Sequence, residues 1–339
     1  MRIAETQIAI SVFVCIDEEV APGTWARIPK ATAFLTTIKG DPFWTGYVVT
    51  AAHVIEGAGN RSLYLRANTD DGFDDIEIHR EEWFIHDHSD VAIVRVKWTG
   101  KKPYDLYSIY PEDFVRADFS LQVPSALVAG PSGIGQTSAT VMQSVQVATG
   151  DQVSIIGLFV QHYGQSKSLP IVRTGTIAQM PSVPVRYRHP GGTYSEQPAY
   201  LIEIHSHGGL SGSPVYVHRR FTALTQLDVP LVGQPGQAVP GKIWVQDPDA
   251  EFANFLGLVS GHFDIAQTAE TTGDIYGTIT VAINAGIAVI TPAEAVRELL
   301  WRDDVLEDRL QDWEAAKKAK AEGRPYIPEG RKIFHHKAS

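Results

Sequence analysis

The run Gly208-Gly209-Leu210-Ser211-Gly212-Ser213-Pro214 sets a serine between glycines. Such a turn can present a hydroxyl beside its own backbone amides, which is the local geometry that acyl transfer needs: a nucleophile, and N–H donors aimed at a developing oxyanion. A serine hydroxyl is a weak nucleophile at neutral pH. It needs an imidazole to take its proton, and the imidazole needs a carboxylate to fix its tautomer and stabilise its cation. Both occur upstream, His53 at the end of Val48-Val49-Thr50-Ala51-Ala52-His53 and Asp90 at the head of Asp90-Val91-Ala92-Ile93-Val94. Each has a plain structural account by itself: a histidine capping a core, a turn aspartate before a strand, a turn serine. Taken together, in the order His, Asp, Ser, they are better explained as a nucleophile, its base and the group that orients the base.

The elements that must position them are short strands. Ala33-Phe34-Leu35, Tyr47-Val48-Val49, Leu63-Tyr64-Leu65 and Val91 to Val96 form one β series, separated by Gly, Asp, Asn and Pro clusters. A second series comprises Val153 to Gly157, Ile171 to Gly175, Tyr200 to Ile204, Pro214 to Val217, Phe255 to Val259 and Ala285 to Ile290. His53 is expected at a strand end, facing a cleft, and Asp90 at the head of the next strand. Tyr110 to Val147 is the least patterned stretch and is the expected crossing between two units. From Pro292 the apolar residues fall at three-to-five-residue intervals among charges, which predicts a helix broken near Asp303. Residues 317–339 are expected to lie over the surface or fray. The predicted organisation is therefore 1–125, 126–291 and a C-terminal helix with a charged tail at 292–339, in an all-β body of the barrel or sandwich kind.

Composition narrows the function. The 339 residues are 44% apolar, with 29 glycines and 20 prolines and no period, as many short strands joined by turns require. A net charge of −10 lacks the basic footprint that nucleic acid or an anionic membrane would need. Cys15 is the one cysteine, so no intrachain disulfide forms, and a reducing cytoplasm is the expected compartment. Ile8 to Ile16 resembles a signal-peptide core but suits a first strand better, because Glu5 precedes it and no small-x-small cleavage site follows. No later segment has the length of a membrane span.

Through Thr50-Ala51-Ala52-His53, Asp90-Val91-Ala92-Ile93 and Gly209-Leu210-Ser211-Gly212-Ser213-Pro214, the chain resembles the trypsin/chymotrypsin-type serine endopeptidases, and most of all their bacterial, disulfide-free Deg/Htr-like branch. The resemblance covers about residues 30 to 292. It implies two six-stranded antiparallel Greek-key barrels with the site between them, and a reaction on protein or peptide substrates without cofactor or metal. It gives His53 the role of base and then acid, Asp90 that of orienting carboxylate, Ser211 that of nucleophile, and assigns the oxyanion hole to the amides of Gly209 and Ser211. Counting along the motif puts His205 at the base of the specificity pocket, Ser260-Gly261-His262 on one wall and Asn284 to Gly286 opposite. Those histidines would suit an acidic or polar side chain if protonated, and would only narrow the pocket if neutral. Leu210 replaces the aspartate that pairs with a newly cut N-terminus in secreted relatives, so no propeptide is expected. No peptide-binding module of the Deg/Htr kind is expected after residue 300.

Other motifs are weaker. Gly130 to Thr137 fits a phosphate-binding loop except that Gln136 replaces the lysine. His86-Asp87-His88 and His205-Ser206-His207 have ligand-like alternation, but the triad and pocket already account for them. Asn60-Arg61-Ser62 is a glycosylation sequon only in a secreted protein. The alternative function is a catalytically silent protease fold that grips a partner through the Pro181 to Pro198 insertion or the C-terminal helix.

Overall fold

The computed structural model describes residues 3–326, apart from 4, 42, 70, 97–106, 126–140, 189–191, 193, 205–208, 233–237, 272–276 and 325. After a short helix α1 (Glu5–Ile8), the first half comprises β1 (Ser11–Ala21), β2 (Thr24–Ile38), β3 (Thr45–Thr50), helix α2 (Ala52–Ala58), β4 (Leu63–Thr69), β5 (Gly72–Ile78), β6 (Trp83–Ile85) and β7 (Ala92–Val96). Two-residue alternation sorts its side chains. Ala92, Val94 and Val96 join Val12, Val14, Ala33, Leu35 and Val48 inside the curl of the sheet, with Ile55 of α2 against them. Val91, Ile93, Phe34, Tyr47 and Val49 point the other way, into a core shared with the second half. Slipping any of these strands by one residue would exchange the two faces, which fixes the register.

The strands pair in the order β5-β4-β1-β2-β3-β7-β6. The first half is therefore a curled seven-stranded sheet and not the expected closed six-stranded barrel. Ile78 on edge strand β5 and Trp83 on edge strand β6 reach the same interior cluster, so side chains fill the seam that hydrogen bonds leave open. The expected first strand is present, with β1 in the middle of the sheet between β2 and β4.

The region expected to be an unpatterned crossing contains a two-stranded unit, β8 (Ser120–Ser125) on β9 (Val141–Gln146). The second half then closes. Its strands β10 (Gln152–Gly157) and β11 (Ile171–Gln179) are followed by a two-stranded insertion, β12 (Pro184–Arg188) and β13 (Tyr194–Pro198), and then by β14 (Tyr200–Glu203), β15 (Pro214–Val232), β16 (Ala238–Thr271) and β17 (Gly277–Pro292). The barrel runs β10-β11-β14-β17-β16-β15 and back to β10. Its inside is aliphatic: Val153, Ile155, Ile177, Ile202, Val215, Val217, Leu256 and Ile290. The last three strands are longer than the barrel needs and continue as ribbons, for example from the Ala223–Asp247 pair to the Val232–Ala238 pair.

Between the halves, Phe255 packs on Phe34 and Phe114, with ring centroids 5.0 and 4.8 Å apart. Helices α3 (Ala293–Leu300) and α4 (Asp303–Ala321) then return the chain to the first half. The break falls at Trp301–Arg302, close to the expected Asp303, and α4 takes in residues 317–321, the start of the stretch expected to lie over the surface or fray. On α4, Arg309 is 1% exposed. It donates to the Tyr47 hydroxyl (3.2 Å) and the Leu300 carbonyl (3.1 Å) while lying among the rings of Tyr47, Trp301 and Trp313. Arg95 of β7 is buried as well and pairs with Asp308 and Asp312 of α4. No helix among the described residues is long and apolar enough to cross a membrane.

Candidate active site

β3 ends at Thr50, and Ala51, at φ −74° and ψ 137°, turns the chain into α2. His53 is thus in the first turn of a helix and not at a strand end. The small side chains of Ala51 and Ala52, buried at 0% and 5% exposure, let this turn sit against the sheet. Asp90 lies just before β7, 6% exposed, as the sequence led one to expect. One of its oxygens accepts the backbone N–H of His53 (2.9 Å) and the other faces His53 Nδ1 (2.8 Å). Because a carboxylate only accepts, Nδ1 carries a proton, and in the Nδ1–H tautomer of the neutral ring Nε2 keeps a lone pair. That nitrogen is 3.0 Å from Ser211 Oγ. The three residues come from three distant segments and meet where the halves face each other.

The loop that carries Asp90 is organised by a histidine. His86 Nδ1 accepts the N–H groups of His88 and Ser89, and its Nε2 meets Glu298 of α3 at 3.2 Å. His86 therefore folds the loop, and among the described residues no group of three His, Cys, Asp or Glu could hold a metal ion.

Thr32 of β2 holds the serine loop from beneath. Its N–H donates to the Ser211 carbonyl (2.9 Å), its hydroxyl donates to the Gly209 carbonyl (3.0 Å) and accepts the Leu158 N–H (2.8 Å), and its carbonyl accepts from Thr50 Oγ1 (2.8 Å). These bonds direct two loop carbonyls toward β2. No described residue accepts a hydrogen bond from the N–H of Gly209 or Ser211. Gly209 has φ +98° and Gly212 φ +78°, a region that side chains resist. A Cβ at Gly212 would also lie 2.2 Å from the Thr32 carbonyl oxygen and 2.3 Å from Thr50 Oγ1. Gly212→Ala is accordingly expected to lower stability by ~2 kcal/mol or more, from strain and overpacking together, and to displace the neighbouring serine. Urea unfolding and a serine-reactive probe would read the two effects; an unchanged midpoint with unchanged labelling would contradict this account.

Leu210 is 1% exposed within the barrel's aliphatic cluster, and so does not stand free to receive a chain terminus. The proposed pocket residues fare unevenly. His205 and His207 lie outside the described residues, as do 130–137. Ser260 is fully buried, and its hydroxyl is bonded to Thr291. Gly261 lies under the Tyr187 ring, whose Cδ2 would be 2.9 Å from an added Cβ. His262 is partly exposed, with its Nε2 3.2 Å from an Asp264 carboxylate oxygen. Asn284 accepts the Gly286 N–H.

Several residues of the site gave no signal in the sequence. Thr32 and Thr50 are ordinary strand threonines in pattern. Gln197, 2% exposed, accepts the N–H of Asp90 (2.9 Å) from the inserted β12–β13 hairpin, and nothing in Tyr-Ser-Glu-Gln-Pro singles it out.

The chain belongs to the trypsin-like peptidase domain family, whose match spans residues 31–220. That span contains His53, Asp90 and Ser211. Among solved structures, the chain is similar to the active form of the Rv3671c protease from M. tuberculosis at 16% identity, over 87% of this chain and 80% of that one, with a TM-score of 0.36. The inactive form of the Rv3671c protease matches at 15% identity, over 87% and 88%, with a TM-score of 0.34. No curated protein matches the chain.

Proposed function

We propose that the chain is a serine endopeptidase that cleaves protein or peptide substrates through an acyl-enzyme. The observation that carries this is the continuous hydrogen-bonded line from Asp90 through His53 to Ser211. In this reading His53 Nε2 takes the Ser211 proton as Oγ attacks the scissile carbonyl, and Asp90, remaining ionised, stabilises the imidazolium. The tetrahedral oxyanion is received by the N–H groups of Gly209 and Ser211, where loss of one donor costs ~2.7–4 kcal/mol in comparable sites. His53 then protonates the leaving amine, and a water, deprotonated by the same nitrogen, releases the acid. The roles need no cofactor, and the lone cysteine suits a reducing bacterial cytoplasm.

A fluorophosphonate probe tests the reading directly. The folded wild-type chain is expected to label and to hydrolyse peptides, and Ser211→Ala to lose both by several orders of magnitude. Folded wild type that neither labels nor cleaves would instead support a silent protease fold used for binding. Against that second reading, the two segments offered for gripping a partner are engaged within the chain: the insertion holds Asp90, and α4 covers Tyr47 and Arg95.

A further inference from the structure

We infer that Gln197 is a positioning residue for Asp90, and that the β12–β13 insertion is thereby a working part of the site; this rests on the peptidase reading above. The Asp90 loop is gripped from both sides. On one, His86 meets Glu298 of α3, and Arg302 donates to the Ile85 carbonyl at 2.6 Å. On the other, the Gln197 side-chain oxygen accepts the Asp90 N–H at 2.9 Å.

The orientation of that amide follows from chemistry. An N–H can only donate, so Gln197 turns its oxygen to Asp90 and its two N–H bonds elsewhere. They go to the Tyr187 hydroxyl at 2.9 Å and to Thr291 Oγ1 at 2.6 Å. Thr291 in turn is bonded to Ser260. One buried amide thus ties Asp90 to β12, to the end of β17 and to β16. All three of its polar contacts are made in an interior where an unmade one would be left without solvent to replace it. Tyr187, buried over Gly261, keeps its phenol protonated, since burial and then the nearby Asp90 charge push its pKa well up. The phenol oxygen therefore stays available to accept from the Gln197 amide. A carboxylate fixed by its own backbone on one side and by an imidazole on the other can hold His53 within the narrow tolerance that proton transfer requires.

Gln197→Met keeps length and approximate volume and removes all three contacts. It is expected to lower kcat roughly 10- to 100-fold with KM within about twofold, the scale of a small misplacement of a reacting group. The NMR resonance of the His53 Nδ1 proton, which a merely structural glutamine would not move, is expected to shift or broaden. Tyr187→Phe and Thr291→Val each remove one anchor and leave the Asp90 contact, and are expected to show smaller losses in the same direction; they decide the matter if Gln197→Met fails to fold. Unchanged kcat and an unmoved Nδ1 resonance in the folded variants would overturn the inference. Wild type that neither cleaves nor labels would remove the peptidase reading, while the resonance would still decide whether Gln197 positions Asp90.

Discussion

Asp90→Asn is expected to fold and to lose kcat by about 10⁴-fold with KM little changed, the magnitude found when an orienting aspartate is replaced isosterically. Here the reason can be followed atom by atom. Asp90 offers two acceptors, one to the His53 N–H and one to the proton on Nδ1. Asparagine has one oxygen and one NH2 group. The backbone N–H cannot change its role, so the oxygen must remain with it, and the NH2 turns to Nδ1. Nδ1 then becomes the acceptor, the ring proton moves to Nε2, and the nitrogen 3.0 Å from Ser211 can no longer take the serine proton. Steady-state kinetics on a peptide substrate, with the probe-labelling rate beside it, would check this. A loss of less than tenfold would mean that Asp90 does not set the tautomer.

The second large effect concerns stability. Removing residues 302–339 is expected to leave a chain that does not fold cooperatively, and hence neither labels nor cleaves. Arg95 would lose both of its carboxylate partners, and stranding one member of a buried pair costs roughly 3–5 kcal/mol. The deletion also uncovers Tyr47 by removing Arg309, and takes away Val305 and Trp313, which pack into or against the shared core. The sum approaches the ~5–15 kcal/mol of a typical domain's whole stability. Circular dichroism through a thermal ramp would show the loss of transition; a soluble truncated chain with full activity would refute the claim.

What the sequence made legible divides along physical lines. Strand positions were plain wherever one face met a core, because alternation such as Ala92-Ile93-Val94 is enforced by burial on two sides. The meeting of His53, Asp90 and Ser211 was foreseeable because acyl transfer demands those side chains together. The helical placement of His53 was not, since Ala-Ala-His-Val-Ile continues a β-branched run and only tertiary packing turns it. Nor could barrel closure be read, as it depends on whether β5 and β6 pair at their edges, and their residue types are the same either way. The bonding of the Ser260 hydroxyl could not be read either, because its partner Thr291 is contributed by the end of a different strand. Thr32 and Gln197 escaped notice for a common reason: what matters is a backbone partner far along the chain, and the choice of side chain records only that it is small or polar.

The pairing of Arg95 with Asp308 spans 213 positions of the chain. During synthesis, His53 and Asp90 are made early, yet the sheet that holds them lacks its cover until α4 leaves the ribosome. A nascent chain therefore carries His53 and Asp90 on an unfinished support, and gains first Ser211 and then the clamp of α4. On the peptidase reading, cleavage competence would then wait on α4, whose carboxylates complete the buried pairing of Arg95.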